Sequence, residues 1–199
     1  MSDAEQHKAE MKKLQAKQRA KVADAADPEQ GLVLVHTGNG KGKSSSAFGV
    51  IVRALGWGHA VGIVQFIKGN WVTGERQFFD KLGSVTWHTM GEGFTWDTQD
   101  RSADIAAAKE TWAVARAMLA DDSFDLVVLD ELTYMLSFDY LPEAEILDAI
   151  TSRPREQSVV VTGRGGGGAL RDVMDTVSEV REVKHAYTSG IMARRGVDY

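Results

Sequence analysis

Eleven consecutive residues carry the densest chemistry in the chain: His36-Thr37-Gly38-Asn39-Gly40-Lys41-Gly42-Lys43-Ser44-Ser45-Ser46. Glycines at alternate positions let the backbone turn with its N–H groups pointing inward, and a lysine followed by hydroxyls closes the run. An apolar stretch, Leu32-Val33-Leu34-Val35, leads in, and a helix-forming stretch leads out. That context separates a phosphate-binding loop from a chance glycine turn. The inward N–H groups and the positive end of the following helix dipole attract anionic oxygen. Lys43 adds a full charge, and the Ser44 hydroxyl is placed to coordinate Mg²⁺. Thr37, Gly38, Asn39, Gly40, Lys41, Gly42, Lys43, Ser44 and Ser45 are therefore the expected ATP-phosphate residues. Two features depart from the general GxxxxGK[ST] pattern. Thr37 stands where its first glycine would be, and Lys41 adds a cation inside the loop.

A second cluster follows another apolar run, Leu126-Val127-Val128-Leu129-Asp130-Glu131. In a parallel sheet a strand of this kind delivers its acid beside the loop-bound magnesium. One of the two carboxylates can ligate the metal directly, and the other can hold a metal-bound water or the loop hydroxyl. A glutamate in that place also suits activation of an attacking water. These residues alone therefore fit an ATP hydrolase with Glu131 as general base as well as any other use of ATP.

Positioning these groups requires strands that alternate with helices. The pattern predicts strands near 31–36, 61–67, 85–90, 124–129 and 159–162, and a sixth near 179–185. Helices are expected near 44–55, 75–82, 102–119, 142–150 and 170–177. Ser102 serves as a cap for one of them, and Pro142 sits near the start of another. The expected fold class is α/β: one P-loop, RecA-like domain over 29–199, a mostly parallel sheet of about six strands with helices on both faces. Residues 1–28 form a polar arm that favours helix on propensity but is marginal alone. A frayed, solvated arm and a segment that orders on a ligand or partner subunit are both open.

The bulk composition narrows the function classes. A chain of 199 residues with net charge -5 is long enough for a full core and lacks the basic balance of a general nucleic-acid coat. There is no cysteine, which excludes disulfides, thiolate metal sites and cysteine nucleophiles. The polar start is unlike a signal peptide, and no run reaches the ~18–20 apolar residues of a membrane span. A cytoplasmic protein is the expectation. His36, His88 and His185 have no ligand-like spacing and read as structural. Arg164, after the fifth strand, faces the ligand-binding edge, where a phosphate or ribose contact and a surface ion pair are both open.

Taken together, several stretches resemble the P-loop family of ATP:corrinoid adenosyltransferases, the cob(I)yrinic acid a,c-diamide adenosyltransferases. They are HTGNGKGKSSSAFG (36–49), VQFIKGNW (64–71), GERQF (74–78), GFTWDTQDR (93–101), VVLDELTYMLSFDYL (127–141), VTGRG (161–165), DTVSEVREVKHAY (175–187) and the final GVDY. The Thr37 substitution is itself the family's form, TGNGKGK. The resemblance implies transfer of the 5′-deoxyadenosyl group of ATP to the Co(I) of a corrinoid, with triphosphate released. It implies ATP held in a reversed sense, Mg²⁺, a homodimer whose arm covers an active site, and a flavin-type reductase supplying electrons. It assigns catalytic roles to Lys43 and Lys41, and places Mg²⁺ on Ser44 and Glu131 with Asp130 behind them. It also makes Phe94 and Trp96 a corrinoid-facing aromatic pair that displaces the lower axial ligand of cob(II). Residues Gly165 to Leu170 form a longer, more glycine-rich loop than the family pattern.

Overall fold

A computed structural model describes residues 3–25, 30–67, 72–91 and 100–199 of the chain. Runs of Val, Ile and Leu become its inner strands because residues buried on both faces of a parallel sheet need no polar alternation. They are β1 (Val33–Thr37), β2 (Val61–Gln65), β4 (Leu126–Asp130) and β5 (Ser158–Thr162). The edges are β3 (Val85–Thr89) and β6 (Thr176–Glu179), and the spatial order is β3-β2-β4-β5-β1-β6. Every pairing is parallel. The expected α/β sheet with helices on both faces is what forms.

Side-chain alternation along the strands feeds two cores. On one face Val35, Leu129 and Val161 pack against helices α4 (Arg101–Ala120) and α6 (Glu143–Thr151) and the short α5 (Thr133–Ser137) and α7 (Gly168–Asp172). On the other, Ile63, Val128 and Val160 pack against α2 (Lys43–Gly56) and α3 (Gly74–Leu82). Ile51 of α2 and Ile63 of β2 are fully buried; each side chain contributes about 1.5–3 kcal/mol by leaving water. Asp100 caps α4, its carboxylate accepting from the N–H groups of Ser102 and Ala103. The cap thus falls two residues before the expected Ser102. Helix α1 (Asp3–Asp24) contains no buried residue.

Two expectations near the C-terminus are corrected. The helix expected over 170–177 is only the five-residue α7, and the sixth strand lies at Thr176–Glu179, not 179–185. Asp175 causes the shift: its Oδ2 accepts from the Val33 N–H at 2.7 Å and its own N–H donates to the Val33 carbonyl at 3.1 Å, which starts the pairing to β1 early. Beyond β6 the chain crosses the glycine loop, the Gly40 N–H donating to the Val180 carbonyl at 2.8 Å.

Candidate phosphate and nucleotide site

The glycine loop leaves the C-terminal end of β1 and enters α2, so its N–H groups gather where a parallel sheet presents its ligand edge. Thr37 keeps strand geometry, paired in register with Glu179, and its carbonyl accepts from the Val180 N–H at 2.8 Å. A turn glycine there would loosen that pairing. Two of the glycines that follow, Gly38 and Gly40, serve close approach. A Cβ at Gly40 would lie 2.7 Å from the Arg181 carbonyl carbon, and one at Gly38 would collide with the Val180 carbonyl oxygen. The first turn of α2 has no side-chain cap, which leaves its N–H groups for a ligand.

A cavity of about 280 Å³ opens beside this turn. Among the expected site residues, Lys41, Gly42, Lys43, Ser44, Ser45 and Glu131 line it, and Arg164 joins them. The Lys43 side chain is buried, and Nζ donates to the Gly40 carbonyl at 2.9 Å. Burial pulls its pKa down, while Glu131 pulls it back up. Lys41 is half exposed, its ammonium 2.9 Å from the Asp198 carboxylate at the end of the chain. Thr37, Gly38, Asn39 and Gly40 form the limb of the loop on the β1 side. Phe94 and Trp96 lie outside the described residues.

The two acids separate sharply. Asp130 is 1% exposed and both its oxygens accept: Oδ2 from Gln65 Nε2 at 2.9 Å, Oδ1 from the Thr162 hydroxyl at 2.7 Å. Glu131 turns out of the strand with φ 59, a left-handed conformation unusual for a residue with a side chain. Its N–H donates to Thr162 Oγ1 at 2.9 Å. Burial first, and then the Asp130 charge, pushes its carboxyl up to about 7 against the opposing pull of Lys43 and Arg164. Glu131 Oε2 is buried without a hydrogen-bond partner. A buried carboxylate oxygen lacking a donor, beside a cavity lined by a serine hydroxyl, fits a hard divalent cation.

Sequence reasoning missed several wall residues. Gln65 is one of them; with Thr162, which lies behind the wall, it is the polar end of an apolar strand, a signal that could have been read beside Asp130. Thr73 and Glu75 of the α3 start, His185 and Asp198 also line the cavity. His185 was expected to be structural; its Nδ1 accepts from the Tyr187 N–H at 3.1 Å while the ring forms part of the wall. Nothing local in the sequence brings residue 198 to residue 41. The Gly165–Gly168 run wraps α5, with the Ser137 hydroxyl donating to the Arg164 carbonyl at 3.2 Å. Among the described residues no group of three or more His, Asp or Glu side chains could hold a metal ion. No described helix is long and apolar enough to cross a membrane.

Comparison with known proteins bears on this site. The corrinoid adenosyltransferase of Escherichia coli (strain K12) is 50% identical over 199 residues, covering 100% of both chains. That of Pseudomonas aeruginosa is 51% identical over 196 residues, 98% of this chain and 96% of its own length. The Sinorhizobium corrinoid adenosyltransferase is 40% identical over 200 residues, 99% of this chain and 93% of its own. Among solved structures, the flagellar accessory protein FlaH of Methanocaldococcus jannaschii has a TM-score of 0.47 at 10% identity, covering 78% of this chain and 73% of its own. The family described as ATP:corrinoid adenosyltransferase BtuR/CobO/CobP matches residues 29–199, and with relatives of this identity along the whole chain, the protein belongs to that family.

Proposed function

We propose that this chain transfers the 5′-deoxyadenosyl group of ATP to the cobalt of a reduced corrinoid and releases triphosphate. The observation that carries the proposal is 50% identity over the full length with a protein named corrinoid adenosyltransferase. The site supports it with a cation-lined phosphate cavity. Cob(I) is itself the nucleophile: its electron pair forms the cobalt–C5′ bond while the C5′–O bond breaks. The electrons of the broken bond leave on the triphosphate, and cobalt ends formally as Co(III). The protein must align cobalt with C5′ and stabilise the leaving group.

Lys43, Lys41 and the loop from Thr37 to Ser45 are assigned to the triphosphate, held in reversed sense, with the Gly40 N–H kept by the Val180 carbonyl. For Lys41 this requires the Asp198 carboxylate to yield to phosphate oxygen. Ser44 and Glu131 would hold Mg²⁺, with Asp130 behind them. The ion would supply charge neutralisation to the departing phosphate oxygens. The flat aromatic pair Phe94 and Trp96 is assigned to the corrinoid face, where it displaces the lower ligand of cob(II) and eases reduction by a flavin-type reductase.

The active unit is a homodimer in which the arm covers a site. A 22-residue helix with no buried residue supports this, because such a helix is marginal without a surface to pack on. The reaction belongs in the cytoplasm, where ATP and a reductant meet. An ATP hydrolase using Glu131 as base is the disfavoured alternative, since the relatives carry the transferase name.

Two experiments test the proposal. Phosphorus NMR of products formed from ATP with cob(I) should show triphosphate, whereas ADP and phosphate would support the hydrolase. Phe94→Ala or Trp96→Ala should depress reactions starting from cob(II) far more than those given cob(I); equal losses would remove the axial-ligand role.

A further inference from the structure

Glu131 occupies a backbone conformation that residues with a Cβ rarely hold unless their surroundings enforce it. Two contacts at the end of β5 supply that enforcement. The first is Thr162, fully buried, whose single hydroxyl proton goes to Asp130 Oδ1 at 2.7 Å. Its lone pair is thereby left to accept the Glu131 N–H at 2.9 Å. The direction of both bonds follows from the partners, because a carboxylate oxygen accepts and an amide N–H can only donate. The second contact is Gly163. A Cβ there would collide with the Thr133 hydroxyl, so the turn after Thr162 lies flat against the first residue of α5, two positions beyond Glu131. The left-handed residue is pinned on both sides by the end of one neighbouring strand. Its side chain lines the candidate phosphate cavity, with Oε2 buried and without a hydrogen-bond partner.

We infer that Thr162 is the positioning residue that aims the Glu131 carboxylate at the metal, an inference resting on the Mg²⁺ role proposed for Glu131 above. Thr162 does not line the cavity and acts only through the Glu131 backbone and the Asp130 carboxylate. Removing its hydroxyl leaves a buried N–H without an acceptor and releases the turn that holds the ligand.

Electron paramagnetic resonance titration of Mn²⁺ into the full-length protein with ATP, and no corrinoid, reads ligand placement without needing turnover. Thr162→Val should weaken Mn²⁺ binding about tenfold, the low end for loss of a group that supports a metal ligand. Thr162→Ser, which keeps the hydroxyl, should restore it. Ile150→Val, a buried change in the core under α6, controls for lost stability and should leave Mn²⁺ affinity as in the wild type. Wild-type affinity in Thr162→Val, with weak binding in Glu131→Gln, would overturn the positioning role and leave the metal assignment standing. Wild-type affinity in Glu131→Gln would remove the metal assignment itself and this inference with it. Equal weakening by Thr162→Val and Ile150→Val would trace the effect to stability and also overturn the role. Should Thr162→Val not fold, Thr162→Cys carries the same test with a weaker donor and acceptor, and an affinity between those of the wild type and Glu131→Gln is expected.

Discussion

Glu131 concentrates the tension in the site, because a carboxylate suited to a cation is held in a place that penalises its charge when no cation is bound. Its carboxyl is raised from the ordinary 4.5 to about 7 by burial and by Asp130. An acid whose proton is held more tightly in the folded state costs nothing at low pH, where it is protonated both folded and unfolded. The cost grows as pH climbs from about 4.5 and is complete above about 7, where it amounts to roughly 3 kcal/mol. Glu131→Gln should therefore leave the metal-free protein about as stable as wild type at pH 5 and more stable by that order at pH 8. Urea unfolding across this range measures it, and a stability difference that does not change with pH would contradict it. The loop lysines, Ser44 and the paired acids were legible because their chemistry is contiguous in sequence. Thr162 was not, since its value comes from lying opposite Asp130 on a neighbouring strand.

At the level of elements, the glycine loop answers to two masters, the ligand and the chain that follows β6. The close approach of Arg181 makes Gly40 a packing residue as well as a proposed phosphate residue. Gly40→Ala should destabilise the protein by about 1–3 kcal/mol, as overpacking against backbone does, and weaken ATP binding with it. Gly49, inside α2 with open space around a would-be Cβ, should gain about 0.5–1 kcal/mol on change to Ala. Thermal unfolding of the two variants checks both signs, and an equal effect at the two positions would count against the packing role of Gly40. The same region explains where sequence patterning failed. Thr176-Val-Ser-Glu is exposed throughout and has no apolar run to announce a strand. It becomes one through the Asp175 bonds to Val33, a contact spanning 142 positions. The expected strand over 179–185 falls instead on the segment that crosses the loop.

Across the whole molecule, the parallel sheet gathers groups from residue 37 to residue 198 onto one edge. β4 stands one strand away from β1, and β5 between them ties the acids to the loop. Alternating strands and helices made this architecture legible, as did the apolar runs that end in functional residues. The Lys41–Asp198 contact and the exposed course of the C-terminal segment come from tertiary structure alone. The reaction proposed for that edge breaks the bond to C5′, not a bond between phosphates. An anaerobic reaction of the full-length protein with ATP, Mg²⁺ and chemically reduced cob(I)alamin tests it most directly, with the corrinoid spectrum and triphosphate followed together. The expected result is formation of a light-sensitive cobalt–carbon bond with one triphosphate released for each. Production of ADP and phosphate, with the corrinoid never alkylated, would contradict the account.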